Sequence, residues 1–220
     1  MTAALMIFDC DGVLIDSEVL AATAVSATLM ECGLDLSVEQ AVDRYVGIST
    51  VSMKKMIESE FQRMLPDDFA TQIHNNVNAI LENELVEVPG ADHVLSRLKG
   101  PRCIASSSSL KGIKRSLRVT NLEKYFPAEV IFSSEMVASG KPAPDLFLLA
   151  ASEMGVSAED CVVIEDSVPG VTGATAAGMR VIGFAGGSHV RNDHHECLRS
   201  AGASIVFDDL RLLPKIVAGL

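Results

Sequence analysis

Leu5-Met6-Ile7-Phe8-Asp9-Cys10-Asp11-Gly12-Val13-Leu14-Ile15-Asp16-Ser17 decides the fold. An apolar run delivers the chain to two aspartates one residue apart, with Gly12 directly behind them. Continuous apolar runs read as strands buried on both faces of a parallel sheet, and a glycine just after marks the strand end. The run therefore predicts a strand over residues 4–9. Side chains alternate across an extended chain, so Asp9 and Asp11 point one way and Cys10 the other if the extension continues that far. Two neighbouring carboxylates repel each other, so either one is protonated or a cation sits between them.

Downstream, Ser17 caps a predicted helix over 18–32, which Gly33 ends. From there to Val88 apolar residues recur at helical spacing, among them Ala41, Val42, Met53, Ile57, Phe69, Ile73, Val77 and Leu81, and no strand pattern intervenes. Val88-Pro89-Gly90 then breaks the chain, and the rhythm changes to strand and helix in alternation. Helices are predicted over 91–99, 110–119, 145–154 and 169–177. Strands are predicted over 102–105, 129–132, 161–165 and 180–184, with a late one near 204–207. Such alternation means an open parallel sheet covered on both faces. The expected architecture is an α/β, Rossmann-like core formed by residues 1–16 and 89–220, with a helical cap domain, residues 17–88, inserted after the first strand.

The net charge of −11 argues against nucleic acid or an anionic membrane as partner, since both need a basic face. No apolar run approaches the ~18 residues of a membrane span, and Met1 leads almost directly into the first strand with no leader ahead of it. The five cysteines, Cys10, Cys32, Cys103, Cys161 and Cys197, are odd in number and scattered. Together these features predict a soluble, reduced, cytoplasmic protein. Oligomeric state stays open.

Ligands of open α/β sheets sit outside the carboxyl ends of the strands. Asp9 and Asp11 follow the first predicted strand. Ser106, Ser107, Ser108 and Ser109 follow the second, Gly140-Lys141-Pro142 lies beyond the third, and Glu165 and Asp166 end the fourth. Each is weak alone: a serine run is usually a helix cap and solvated loop, and acids after a strand usually favour a helix dipole. Their joint arrival at one rim is what points to a site.

These residues carry a resemblance. D-C-D-G-V-L-I at 9–15, I-A-S at 104–106, G-K-P-A-P-D at 140–145, V-I-E-D-S-V-P-G at 163–170 and A-A-G-M at 176–179 are similar, in order and over nearly the whole chain, to the haloacid dehalogenase-like hydrolases, in their helical-capped phosphatase and phosphomutase branch. The resemblance implies a phosphatase acting on a small phosphorylated metabolite through a covalent aspartyl phosphate. It implies Asp9 as nucleophile and Asp11 as acid and base. Mg²⁺ would be held by Asp9, the main-chain carbonyl of Asp11 and Asp166, with Glu165 a direct or water-mediated ligand. Ser106 and main-chain N–H groups including that of Ser107 would hold the phosphoryl oxygens, and Lys141 would bridge phosphate and nucleophile. A cation is needed because like charges ~4 Å apart repel by about 4 kcal/mol at an effective dielectric of 20. The resemblance also implies that Val46-Gly47-Ile48-Ser49-Thr50 is a cap loop reaching the active site, with hinges near Asp16-Ser17 and Val88-Pro89.

Departures narrow the branch. Mutases of β-glucose phosphates carry His near the position of Ala21 and Arg near that of Thr50, which favours a phosphatase here. Haloalkanoate dehalogenases lack the second Asp, which is present as Asp11. A cysteine phosphatase needs Arg six residues past its Cys, and none of the five cysteines has one. Phosphate-binding glycine loops are missing. A signalling receiver shares the acidic pocket, but has no obvious use for Asp11 or for a lid. A catalytically idle phosphosugar-binding protein is the other alternative.

The remaining candidates read as structural. Cys10 is a small core residue facing away from the site. The stretch Gly186-Gly187-Ser188-His189 to His194-His195 and Cys197 contains metal-ligand types, but its mixed spacing reads as a solvated loop and helix start. Arg44, Lys54 and Lys55 read as solvated helix faces, His74 and His93 as surface or boundary residues, and Met30, Met53, Met56 and Met64 as core.

Overall fold

The computed structural model describes residues 4–46, 48, 50–191 and 193–220. The chain forms two compact units, one from the residues up to Asp16 with Val86–Leu220, the other from Ser17–Leu85.

In the first unit, β1 (Leu5–Phe8) is buried at all four positions, as expected for a strand covered on both faces. The second unit holds the next four helices in chain order, α1 (Glu18–Glu31), α2 (Val38–Tyr45), α3 (Thr50–Phe61) and α4 (Phe69–Glu84). The first unit then resumes with α5 (Ala91–Leu95), β2 (Arg102–Ser106), α6 (Leu110–Val119), β3 (Ile131–Ser133), α7 (Asp145–Glu153), β4 (Cys161–Glu165), α8 (Val168–Ala176), β5 (Arg180–Phe184), α9 (His194–Ala201), β6 (Ile205–Phe207) and α10 (Leu213–Ala218). Among the described residues the strands form one six-stranded sheet, in the order β3-β2-β1-β4-β5-β6, with every neighbouring pair parallel. That is the Rossmann-like order, whose direction reverses at β1, between β2 and β4. Leu5, Ile7, Cys103, Ala105, Val163, Leu146 and Phe147 share one core cluster. Phe8, alternating with Ile7, is buried too and meets Phe126 edge-on at 6.3 Å between ring centres.

Boundaries moved where local chemistry outweighed the apolar pattern. The strand expected over 129–132 starts at Ile131, because Ala128–Val130 winds into a 3-10 turn after Pro127. The helix expected over 91–99 shortens to α5. Among the described residues no helix is long and apolar enough to cross a membrane.

The second unit packs its helices around Leu29, Leu36, Tyr45, Met53, Ile57, Phe69 and Ile73. Ser37 and Gln40 form a reciprocal capping box at the start of α2. Buried Ser26 donates to the Leu36 carbonyl at 2.6 Å, and Asn76 donates to Thr28 at 2.9 Å, so α1 is held by hydrogen bonds as well as packing. The expectation of a methionine core fails for three of the four. Met53 is buried, but Met30, Met56 and Met64 are 63%, 43% and 80% exposed. Met30 follows buried Leu29 and so is turned about 100° away from the packed face. Arg44 pairs with Glu60, and Lys54 donates to the Pro66 carbonyl at 2.8 Å, so both are engaged within this unit. The segment Val46–Thr50 lies partly outside the described residues, at Gly47 and Ser49.

Candidate active site

The main-chain N–H of Asp9 donates to the Ile164 carbonyl at 2.9 Å, extending the β1–β4 ladder one residue past the strand. The Asp9 side chain thereby stands at the carboxyl end of the central strand, where the strand order reverses. Gly12 follows with φ +78, a left-handed conformation suited to glycine. A Cβ there would lie 1.9 Å from Asp166 Oδ2, so the space that glycine vacates is filled by the acid at the end of β4.

The stretch after β4 explains itself residue by residue. Ser167 caps α8, its hydroxyl accepting from Gly170 N at 3.1 Å, and Pro169 lies in the first turn, where its missing N–H costs nothing. The Ser167 N–H and O–H both donate to Glu165 Oε2, at 2.8 and 2.9 Å. Gly170 leaves room for the same carboxylate, since a Cβ would fall 1.8 Å from Glu165 Oε1. A buried anion at this position also gains from the positive end of the α8 dipole.

Lys141 closes the site from the loop ahead of α7. Its ammonium donates to Asp9 Oδ1 at 2.8 Å and to Glu165 Oε1 at 2.5 Å, and it lies 5.3 Å from the centre of the Phe147 ring. Burial alone would lower its pKa, but the Asp9 and Glu165 carboxylates outweigh burial and hold it above its ordinary value. Asp9 moves the other way from an ordinary ion-paired acid. Burial pushes its carboxyl well up, Lys141 pulls against this, and Glu165, Asp166 and Asp11 add to the rise. Asp166 is raised by burial and by Glu165. One ammonium thus serves a cluster of three buried carboxylates, Asp9, Glu165 and Asp166, whose potential ligand oxygens lie within 4.8 Å of one another. The excess negative charge is relieved either by a proton, as the raised carboxyls allow, or by a further cation, which the cluster could hold.

Asp11 is held differently. Its Oδ2 accepts from Ser108 Oγ at 2.7 Å and faces Ser106 Oγ at 3.4 Å, while Ser106 Oγ accepts from Ser108 N at 3.0 Å. Ser106 is buried at the end of β2, whereas Ser107 is exposed and its carbonyl accepts from Ser134 Oγ at 2.7 Å. Ser109 caps α6. The serine run is therefore divided in function: Ser106 and Ser108, two apart, reach toward Asp11, and Ser109 starts the helix. The role of Ser108 was missed, although the same period of two that aligned Asp9 with Asp11 would have found it. Cys10 is fully buried; burial and then the Asp11 and Asp9 charges push its thiol well up, which suits packing rather than nucleophilic attack.

The expected helix start is found at His194, but the solvated loop is not found at His189. His189 is only 7% exposed, and its Nε2 lies 3.2 Å from Asp166 Oδ2. His194, in the first turn of α9, places its Nε2 2.5 Å from the Asp166 carbonyl. The loop that holds His189 is turned inward toward Asp166 rather than solvated throughout, and His194 faces the same residue from the helix start. No spacing rule links residues so far apart in the chain.

The chain is similar to known proteins. The sequence model of the haloacid dehalogenase-like hydrolases matches residues 3–178. The 6-phosphogluconate phosphatase of Escherichia coli is 31% identical over 183 residues, covering 83% of this chain and 82% of that protein. A phosphorylated carbohydrates phosphatase of Thermotoga maritima is 30% identical over 206 residues, covering 91% of this chain and 93% of its own. Among solved structures, a haloacid dehalogenase-like protein of unknown function from Agrobacterium tumefaciens superposes with a TM-score of 0.90 at 41% identity, covering 98% of each chain.

Proposed function

Because the chain belongs to the haloacid dehalogenase-like hydrolases and is a phosphoric monoester hydrolase, we propose that it cleaves a small phosphorylated carbohydrate through a phosphoryl group carried on Asp9. The observation that carries this reading is the Lys141 ammonium joining Asp9 and Glu165 inside a buried carboxylate cluster at the end of the central strand.

In this reading Asp9 attacks phosphorus, forming an acyl phosphate as the bond to the ester oxygen breaks. Asp11 gives its proton to that leaving oxygen. Water then attacks the Asp9-bound phosphorus, Asp11 takes up the proton, and inorganic phosphate leaves with the Asp9 carboxylate restored. Ser108 and Ser106 keep Asp11 oriented through both steps. Lys141 keeps the Asp9 oxygen in place and balances charge on the phosphoryl oxygens. The inserted helical unit serves as the cap.

The donor set fits Mg²⁺: three clustered carboxylates are hard oxygen ligands, and Asp166 Oδ1 is buried with no hydrogen-bond partner among the described residues. Asp9, Asp166 and the Asp11 carbonyl would hold the ion, which when bound supplies positive charge toward the phosphoryl oxygens. Glu165 stands beside them with both oxygens already accepting hydrogen bonds, from Lys141 and Ser167, so its main task is to anchor the lysine.

The test is phosphate release with Mg²⁺ over a panel of sugar phosphates and sugar-acid phosphates, with p-nitrophenyl phosphate as the generic substrate. The expected result is turnover that Asp9→Asn abolishes and chelator removes. Retained turnover in Asp9→Asn would overturn the reading.

A further inference from the structure

The phosphoryl-transfer chemistry has no use for the two histidines that face Asp166. We propose that His189 and His194 are positioning residues that fix Asp166 so that Oδ1 is the carboxylate oxygen presented to the divalent cation. This rests on the reading of Asp166 as a metal ligand.

Three separate observations converge. The first is the division of acceptors. His189 Nε2 lies 3.2 Å from Oδ2 between side chains that are both almost fully buried, and His194 Nε2 lies 2.5 Å from the Asp166 main-chain oxygen. A carbonyl oxygen only accepts, so His194 donates from Nε2. An ionised carboxylate likewise only accepts, so His189 donates from Nε2 whenever Asp166 is charged. The remaining acceptor, Oδ1, is buried with no hydrogen-bond partner among the described residues.

The second is the space made for the imidazole. A Cβ on Gly12 would lie 3.0 Å from His189 Cε1, and one on Gly187 would lie 2.8 Å from both Cε1 and Nδ1. A glycine from the loop after β1 and a glycine from the loop after β5 thus leave a slot for the ring. The third is the anchoring of the loop. Ser188, next to His189, donates to Asp16 Oδ1 from its N–H at 3.2 Å and from its hydroxyl at 2.7 Å. The two rings meet edge to face, 6.0 Å apart at 83°. Partners that hydrogen-bond a ligating carboxylate orient it, and removing them typically weakens metal binding by about 10–100-fold. A purely structural role would lower the stability of the metal-free protein while leaving affinity unchanged.

The experiment titrates Mn²⁺ into full-length protein, reads free Mn²⁺ by electron paramagnetic resonance, and competes it with Mg²⁺. Wild type should bind Mn²⁺ at a site that Mg²⁺ competes for, and Asp166→Asn should lose it. If either fails, the metal reading itself falls and this inference with it. If both hold, His189→Leu should bind about 10–100-fold more weakly while retaining wild-type circular dichroism. Wild-type affinity in folded His189→Leu would overturn the proposal and leave the metal reading intact. Should His189→Leu not fold, the pair His189→Gln and His189→Asn decides. Gln places its amide nitrogen where Nε2 stood, Asn where Nδ1 stood. Support requires that Gln keep the affinity and Asn lose it; equal affinities overturn the proposal.

Discussion

Lys141 is the side chain on which the charge balance of the site turns. It is almost completely buried, within 2.8 Å of Asp9 and 2.5 Å of Glu165. Removing one member of such a cluster leaves buried carboxylates without their counter-charge, which costs about 3–5 kcal/mol. Lys141→Gln should therefore lower the urea midpoint of unfolding and reduce kcat by about 10²–10³-fold, the usual loss when one preorganised electrostatic group is removed. Steady-state kinetics beside urea melts check both; unchanged kcat would remove Lys141 from the chemistry. At this scale the sequence was most readable where the chain itself creates the neighbourhood. Asp9 and Asp11 share a turn, and Glu165, Asp166 and Ser167 share a strand end. Ser108 was within reach of the same reasoning. His189 was not, because its place beside Asp166 depends on a loop whose path is set by Gly187 and by Ser188 bonding to Asp16.

Elements differ in how far a pattern determines them. In α1, Leu29 is fully buried and Met30 is 63% exposed. Leu29→Ala should destabilise the protein by about 2–5 kcal/mol, as a large-to-small core change does. Met30→Ala should stay within about 0.5 kcal/mol of wild type. Paired denaturant melts read the difference, and equal losses would contradict the packing of α1 described above. Hydrophobicity alone could not separate these neighbours, since both residues are apolar; helical phase does, once Ala22, Val25 and Leu29 define the buried stripe. The strands were easier to read because a parallel sheet buries both faces and leaves long apolar runs such as Cys161–Ile164. Their ends were harder to place: Ala128–Val130 is decided by the turn after Pro127, not by hydrophobicity.

The molecule as a whole carries −11 charges, and its proposed substrate is an anion. Like charges slow encounter, and salt screens them, with a Debye length that falls from about 30 Å at 0.01 M to about 8 Å at 0.15 M. At constant Mg²⁺, kcat/KM for a sugar phosphate should therefore rise as NaCl is added over this range, while kcat stays nearly level. A fall in kcat/KM would mean that a local positive field, not the net charge, governs approach. The sheet order has its own bearing on how the chain is made. The strand β1 precedes the other strands in the chain but lies between β2 and β4, with Met6 opposite Arg102 on one side and Val162 on the other. On the ribosome the nascent Leu5–Phe8 segment must wait for Cys161–Glu165 to emerge, roughly ten to thirty seconds at ordinary elongation rates. The helical unit Ser17–Leu85 is complete well before then. Synthesis therefore leaves the strand leading to Asp9 as an edge strand beside β2 until β4 emerges, and β4 and β5 gain their second neighbours later still. During that interval Leu5–Phe8 is an apolar segment open to chaperones.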